Sequence, residues 1–175
     1  RGGGKTVLLN AFEAIAEEEG CQTALIEIDP STPLAQQLAP QMQHILHRLD
    51  RMKKAGAELQ KAFGALRAFA SMFKATVGDV DFGFAVTPAT GDLSIDLTDH
   101  LVAIADAAKK RDTAVILLID EIQYLQKDDL SALIMAMHKL AQRQLPLLLF
   151  GGGLPQLAKL AGDAKSRSGE HTSEL

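Results

Sequence analysis

Apolar residues recur along this chain at two spacings, and the switches between them divide it into elements. Val7, Leu8, Ala11, Phe12 and Ile15 fall on one face of a 3.6-residue period, which predicts a helix over residues 5–19 closed by Gly20. The run T-A-L-I-E-I-D at 23–29 predicts a strand ended by Asp29-Pro30. From 31 to 75 the period is helical but interrupted. Met42, Ile45, Leu46, Leu49 and Met52 make one stripe; Leu59, Phe63, Leu66, Ala70 and Phe73 make a second. Pro40 and Gly56 are the expected breaks, because proline removes a helical hydrogen bond and glycine weakens a helix.

The period then changes to two. Val80, Phe82, Phe84 and Val86 alternate with polar or small residues, a turn sits at 87–92, and Leu93, Ile95 and Leu97 alternate again. This predicts an inserted β-hairpin over 80–95. Thr98 is the expected N-cap of a helix through Lys110, with Leu101, Ile104, Ala105 and Ala108 inward. Its end, Lys109-Lys110-Arg111, suits the negative pole of a helix. The almost unbroken apolar run at 113–120 predicts a parallel strand covered on both faces. Leu130, Leu133, Ile134, Met137 and Leu140 predict a helix starting near Asp128, and 145–150 a second buried strand. Gly151-Gly152-Gly153 follows, then a short helix from Pro155. Strands alternating with helices imply an α/β layered domain with a parallel sheet.

The 175 residues, 47% hydrophobic and 23% charged, are enough for one domain with a core. A net charge of −4 argues against nucleic-acid binding through bulk positive potential. A single cysteine, Cys21, allows no internal disulfide and points to a reducing, cytoplasmic setting. The longest strongly apolar runs are far too short to cross a bilayer. The chain opens inside a glycine-rich segment without an initiating Met. Its last residues, Arg167-Ser168-Gly169-Glu170-His171-Thr172-Ser173-Glu174-Leu175, have no hydrophobic period and resemble a translated sequencing adapter. Residues 1–166 are therefore read as a partial domain and 167–175 as a non-native tail.

Two short stretches carry chemistry. Gly2-Gly3-Gly4-Lys5-Thr6 stands at a helix start, with Val7 next. Glycines let backbone N–H groups curl toward phosphate oxygens, and the helix adds its positive pole. Lys5 would reach the β- and γ-phosphates and the Thr6 hydroxyl would bind Mg²⁺. Asp120-Glu121 ends the buried run at 113–120, where open α/β sheets place their ligands. Asp120 would hold Mg²⁺, and Glu121 would orient and activate an attacking water. Either stretch alone also fits an ordinary turn or strand end; the joint occurrence points to nucleotide binding.

Gly-x-Gly-Lys-Thr followed by V-L-L-N, together with L-L-I-D-E-I-Q-Y-L, resembles the Walker A and Walker B motifs of the AAA+ ATPases. Segments 130–138 and 144–155 extend the likeness toward the Orc1/Cdc6-like, archaeal-type branch. The resemblance implies a three-layer αβα P-loop NTPase domain lacking its first strand, which would lie beside 145–150. The open apolar edge so created would make this chain aggregate or fold weakly alone. It implies ATP and Mg²⁺ as ligands, and ATP hydrolysis coupled to conformational change. The alternative is a nucleotide-dependent switch or recruiting module with little hydrolysis. A homo-oligomer, and a DNA or protein partner engaged through a C-terminal region beyond this chain, are the implied partners; no membrane is. The family places a polar sensor side chain where this sequence has Gly151-Gly152-Gly153, which leaves Gln123 as the candidate sensor.

Other residues have plainer readings. His44 and His47 lack a partner at metal spacing. Glu17-Glu18-Glu19 suits a solvated helix end, and Cys21 a buried thiol. Asp79, Asp81, Asp92 and Asp96 weigh against DNA contact by the hairpin.

Overall fold

The computed structural model describes residues 3–52, 56–75, 78 and 89–153. Three parallel strands form one sheet in the order β1-β2-β3: β1 Gln22–Glu27, β2 Val115–Asp120 and β3 Leu147–Gly151. The register pairs Glu27 with Asp120 and Ile119 with Gly151. Both strand ends beside Asp120 therefore open on the same edge of the sheet. The helices are α1 Gly3–Glu18, α2 Leu34–Arg51, α3 Ala57–Met72, α4 Leu93–Lys109 and α5 Lys127–Gln142. The α/β class, with a parallel sheet between helical layers, is as expected.

Alternation along β2 divides the interior into two cores. Val115, Leu117 and Ile119 face the larger one with Ala24 and Ile26 of β1, Ile28 just beyond that strand, and the buried faces of α2 to α5. Ile116 and Leu118 face the smaller one, where they meet Leu9 of α1. All six residues of β2 are buried, which is why its sequence shows no alternation.

Several expectations change. The apolar face of α1 is not a core face among the described residues: Val7 is 66% exposed and Ile15 57%, while Leu9 is the buried position. Helical spacing identifies a stripe but not what covers it. Pro40 does not break α2, which runs through it. Leu38, Ala39 and Met42 around it are fully buried, and this packing outweighs one lost hydrogen bond. Gly56 stands at the N-cap of α3.

The second strand of the expected hairpin is a helix instead. Leu93, Ile95 and Leu97 open α4, and the N-cap is Asp92, not Thr98. The Asp92 carboxylate accepts from the Ser94 and Ile95 N–H groups at 2.8 and 3.2 Å. Asp96, buried, accepts from the N–H and hydroxyl of Thr90 and from the Gly91 N–H, and Gly91 has φ +86°. Thr98 only bonds back to the Ser94 carbonyl at 2.6 Å. The sequence permitted both periods: Leu93, Leu97 and Leu101 also recur every four residues, and Ile95 is 47% exposed. Residues 80–86, the hairpin's other half, and the expected helix from Pro155 lie outside the described residues.

Arg111 has a larger part than complementing a helix pole. It is buried, and its guanidinium donates to the Leu49 carbonyl at 2.8 Å and the Ala107 carbonyl at 2.9 Å. It thereby joins the C-terminal ends of α2 and α4, whose last carbonyls have no helical partner. β3 is the outer strand among the described residues, and Leu148 and Phe150 on it are 53% and 40% exposed. Phe150 meets Phe12 of α1 with ring centroids 5.4 Å apart.

Candidate functional site

The site grows from the first turn of α1 and the C-terminal ends of β2 and β3. α1 begins at Gly3, two residues earlier than its apolar period suggested, so Gly3, Gly4, Lys5, Thr6 and Val7 form its first turns. Gly2 lies outside the described residues. A Cβ on Gly4 would meet nothing within 4 Å, so this turn faces open space. Its N–H groups have no carbonyl partner within the helix and carry the positive end of the dipole.

Tertiary structure joins the two chemical stretches. The Thr6 hydroxyl donates to Asp120 Oδ2 at 2.5 Å. The other oxygen, Oδ1, accepts the Glu121 N–H at 2.9 Å. Asp120 is 5% exposed, and this pair of donors is what lets a carboxylate sit there. A hydroxyl and a carboxylate meeting at one point are hard oxygen donors of the kind Mg²⁺ takes. Among the described residues no group of three or more His, Cys, Asp or Glu could hold a metal unaided.

Glu121 stands at the strand's end with φ +55° and ψ +35°, a left-handed conformation that costs a non-glycine residue energy. A short 3₁₀ turn, Ile122–Tyr124, follows, and Ile122 is buried. Ile122 pins the turn inward, and Glu121 and Gln123 on either side are half-buried. The Gln123 amide Nε2 donates to Glu121 Oε2.

The glycines at the end of β3 have a steric reason. The Gly152 N–H donates to the Ile119 carbonyl at 2.7 Å, and its carbonyl accepts the Ile122 N–H at 3.0 Å. Its backbone thus bridges both sides of Asp120-Glu121. A Cβ on Gly152 would lie 2.9 Å from Leu9 Cδ1 and 3.1 Å from Asp120 Oδ1. A Cβ on Gly151 would meet Ile122 Cδ1 at 2.8 Å. In sequence these glycines read as a missing sensor; the close approach to Leu9, Asp120 and Ile122 appears only in the fold. The run of three glycines at a strand end was the available signal.

A polar cleft of about 360 Å³ lies elsewhere, at the β1 side of the sheet between α1 and α2. Some of its groups are engaged with one another or with the neighbouring core. Thr23 Oγ1 donates to Glu17 Oε1 at 2.7 Å, Arg48 donates to the Thr23 carbonyl, and the His47 ring packs on Phe63. Among the described residues no helix is long and apolar enough to cross a membrane.

A search of curated proteins finds no match to this chain. A family model described as "AAA ATPase domain" matches residues 1–150. The first turn of α1, the Asp120-Glu121 strand end and strands β1 and β2 lie within that match, and the chain belongs to the AAA ATPase domain family.

Proposed function

We propose that the protein carrying this chain binds Mg-ATP at the first turn of α1 and hydrolyses it with Glu121. ATP binding and hydrolysis in general follow from the family. The assignment to residues rests on one observation above all, the 2.5 Å bond between Thr6 and Asp120 that brings the loop and the strand end together.

Gly2, Gly3, Gly4, Lys5, Thr6 and Val7 hold the phosphates through backbone N–H groups, the helix pole and the lysine charge. Thr6 and Asp120 hold Mg²⁺, which neutralises phosphate charge when bound. The Glu121 carboxylate orients the attacking water and takes its proton. Gly152 keeps the Asp120-Glu121 turn in register with β3. Closure of the site around nucleotide is the conformational change to which hydrolysis is coupled, in an Orc1/Cdc6-like cytoplasmic ATPase. That protein works as a homo-oligomer and engages DNA or protein through a further region.

A second reading is a nucleotide-dependent switch with little hydrolysis. It is favoured by Gly151 and Gly152, whose surroundings leave no room for a sensing side chain near Asp120.

Calorimetry of Mg-ATP binding to the intact protein, wild type against Lys5→Ala, tests the binding reading. The loss of a charge-assisted phosphate contact lowers affinity about a hundredfold or more. Equal affinity of both proteins would remove Lys5 from the site. Turnover by Glu121→Gln then separates the two readings: a large loss supports hydrolysis through Glu121, and negligible turnover by the wild type supports the switch.

A further inference from the structure

The Glu121 carboxylate stands on a backbone turned left-handed, with φ +55°. Its main chain is held at three points. The Glu121 N–H is bound to Asp120 Oδ1 at 2.9 Å, its carbonyl accepts the Tyr124 N–H at 2.9 Å, and the next residue, Ile122, is bound to Gly152. The main chain therefore fixes where the side chain starts. It does not fix where the carboxylate ends, because two sp³ torsions and the carboxyl rotation remain. The only side-chain group bonded to that carboxylate among the described residues is the Gln123 amide, which donates to Oε2.

An amide is well suited to this part. It is neutral, so it does not discharge the carboxylate as a lysine or arginine would. Oε1 keeps its own lone pairs for a water. Gln123 can reach Glu121 because the 3₁₀ turn buries Ile122 between them, leaving both side chains on the outer side of the turn.

We propose that Gln123 is a positioning residue for Glu121: its amide holds one carboxylate oxygen so that the other meets the attacking water. This rests on the reading of Glu121 as the base. It replaces direct sensing of phosphate as the role of Gln123. Because the effect is on the orientation of the base, it falls on kcat and not on nucleotide binding.

The test is ATP hydrolysis by the intact protein under steady-state and single-turnover conditions. Four forms are compared: wild type, Gln123→Ala, Glu121→Gln and the double variant. Gln123→Ala lowers kcat about tenfold with KM changed less than about twofold. In the Glu121→Gln background the same substitution changes the rate less than about twofold, since there is no base left to orient. An unchanged or raised kcat in Gln123→Ala overturns the proposal, the latter by making the contact a restraint. So does an equal loss in both backgrounds, which would make Gln123 a merely structural residue. Wild-type turnover by Glu121→Gln overturns the base reading itself and this proposal with it.

Discussion

Thr6 and Asp120 are 114 residues apart in sequence and 2.5 Å apart in space, hydroxyl to carboxylate. The bond ties the first turn of α1 to the end of β2, so a change at either residue should be felt at the other. Asp120→Asn keeps the shape but removes the charge. It is expected to lower Mg-dependent ATP turnover about a hundredfold or more, by removing a metal-directed carboxylate. Binding of ATP measured without Mg²⁺ should change little. Turnover equal to wild type would exclude Asp120 from the site.

The two glycines after Phe150 should not respond alike to alanine. At Gly152 the new methyl meets Leu9 Cδ1 and also the Asp120 carboxylate, which the Thr6 hydroxyl and the Glu121 N–H hold in place. Gly152→Ala should cost about 1–3 kcal/mol of stability and reduce turnover. At Gly151 the obstacle is Ile122 Cδ1, the far end of a side chain that can rotate, and the cost should fall below about 1 kcal/mol. Denaturant midpoints of both variants decide it; equal effects would mean that the crowding at Asp120 is relieved by backbone movement.

His100 should make the fold sensitive to mild acid. It is fully buried in α4, stacked on Phe69 of α3 at 5.3 Å, and neither ring nitrogen has a hydrogen-bond partner. Burial pushes its pKa down to about 3. The unfolded chain, with a histidine near 6.5, binds more protons between these values, so stability is full above about pH 6.5 and falls as pH drops. By pH 5 the loss should be about 2 kcal/mol. His100→Phe should flatten this part of the profile, as read from urea midpoints at pH 7 and 5. An unchanged slope would assign the acid sensitivity to other groups.

Arg111→Met keeps most of the aliphatic stem but takes the guanidinium donor from the Leu49 and Ala107 carbonyls, of which Leu49 keeps the Met52 N–H. A loss of about 2–3 kcal/mol is expected for such buried, charge-assisted bonds. Hydrogen exchange should show it at the adjoining ends of α2 and α4. Loss confined to either helix alone would mean that the guanidinium does not couple them.

The exposed apolar edge of β3 should govern self-association of the chain. Phe150→Lys places a charge on that edge beside Phe12 and should reduce light scattering at a given concentration without raising stability. Undiminished scattering would move the sticky surface elsewhere, first to Val7 and Ile15 of α1.

The sequence by itself determined the α/β class and the three strands of the described sheet to within about two residues, and it singled out the glycine-rich helix start and the Asp-Glu strand end that the fold brings together. These are local: buried parallel strands are unbroken apolar runs, and phosphate and metal chemistry demand particular residue types. Tertiary structure decided the rest. Leu93, Ile95 and Leu97 satisfy both a period of two and a period of four, and only the Asp92 cap, the hold of Asp96 on Thr90 and Gly91, and burial of Leu97 make them helical. Pro40 reads as a break until the packing of Leu38 and Met42 is counted. Gly152 reads as a missing side chain until Leu9 and Asp120, distant in sequence, arrive to fill the space a side chain would need. In each case local preference differs by a few kcal/mol at most, and contacts between residues far apart in the chain are large enough to reverse it.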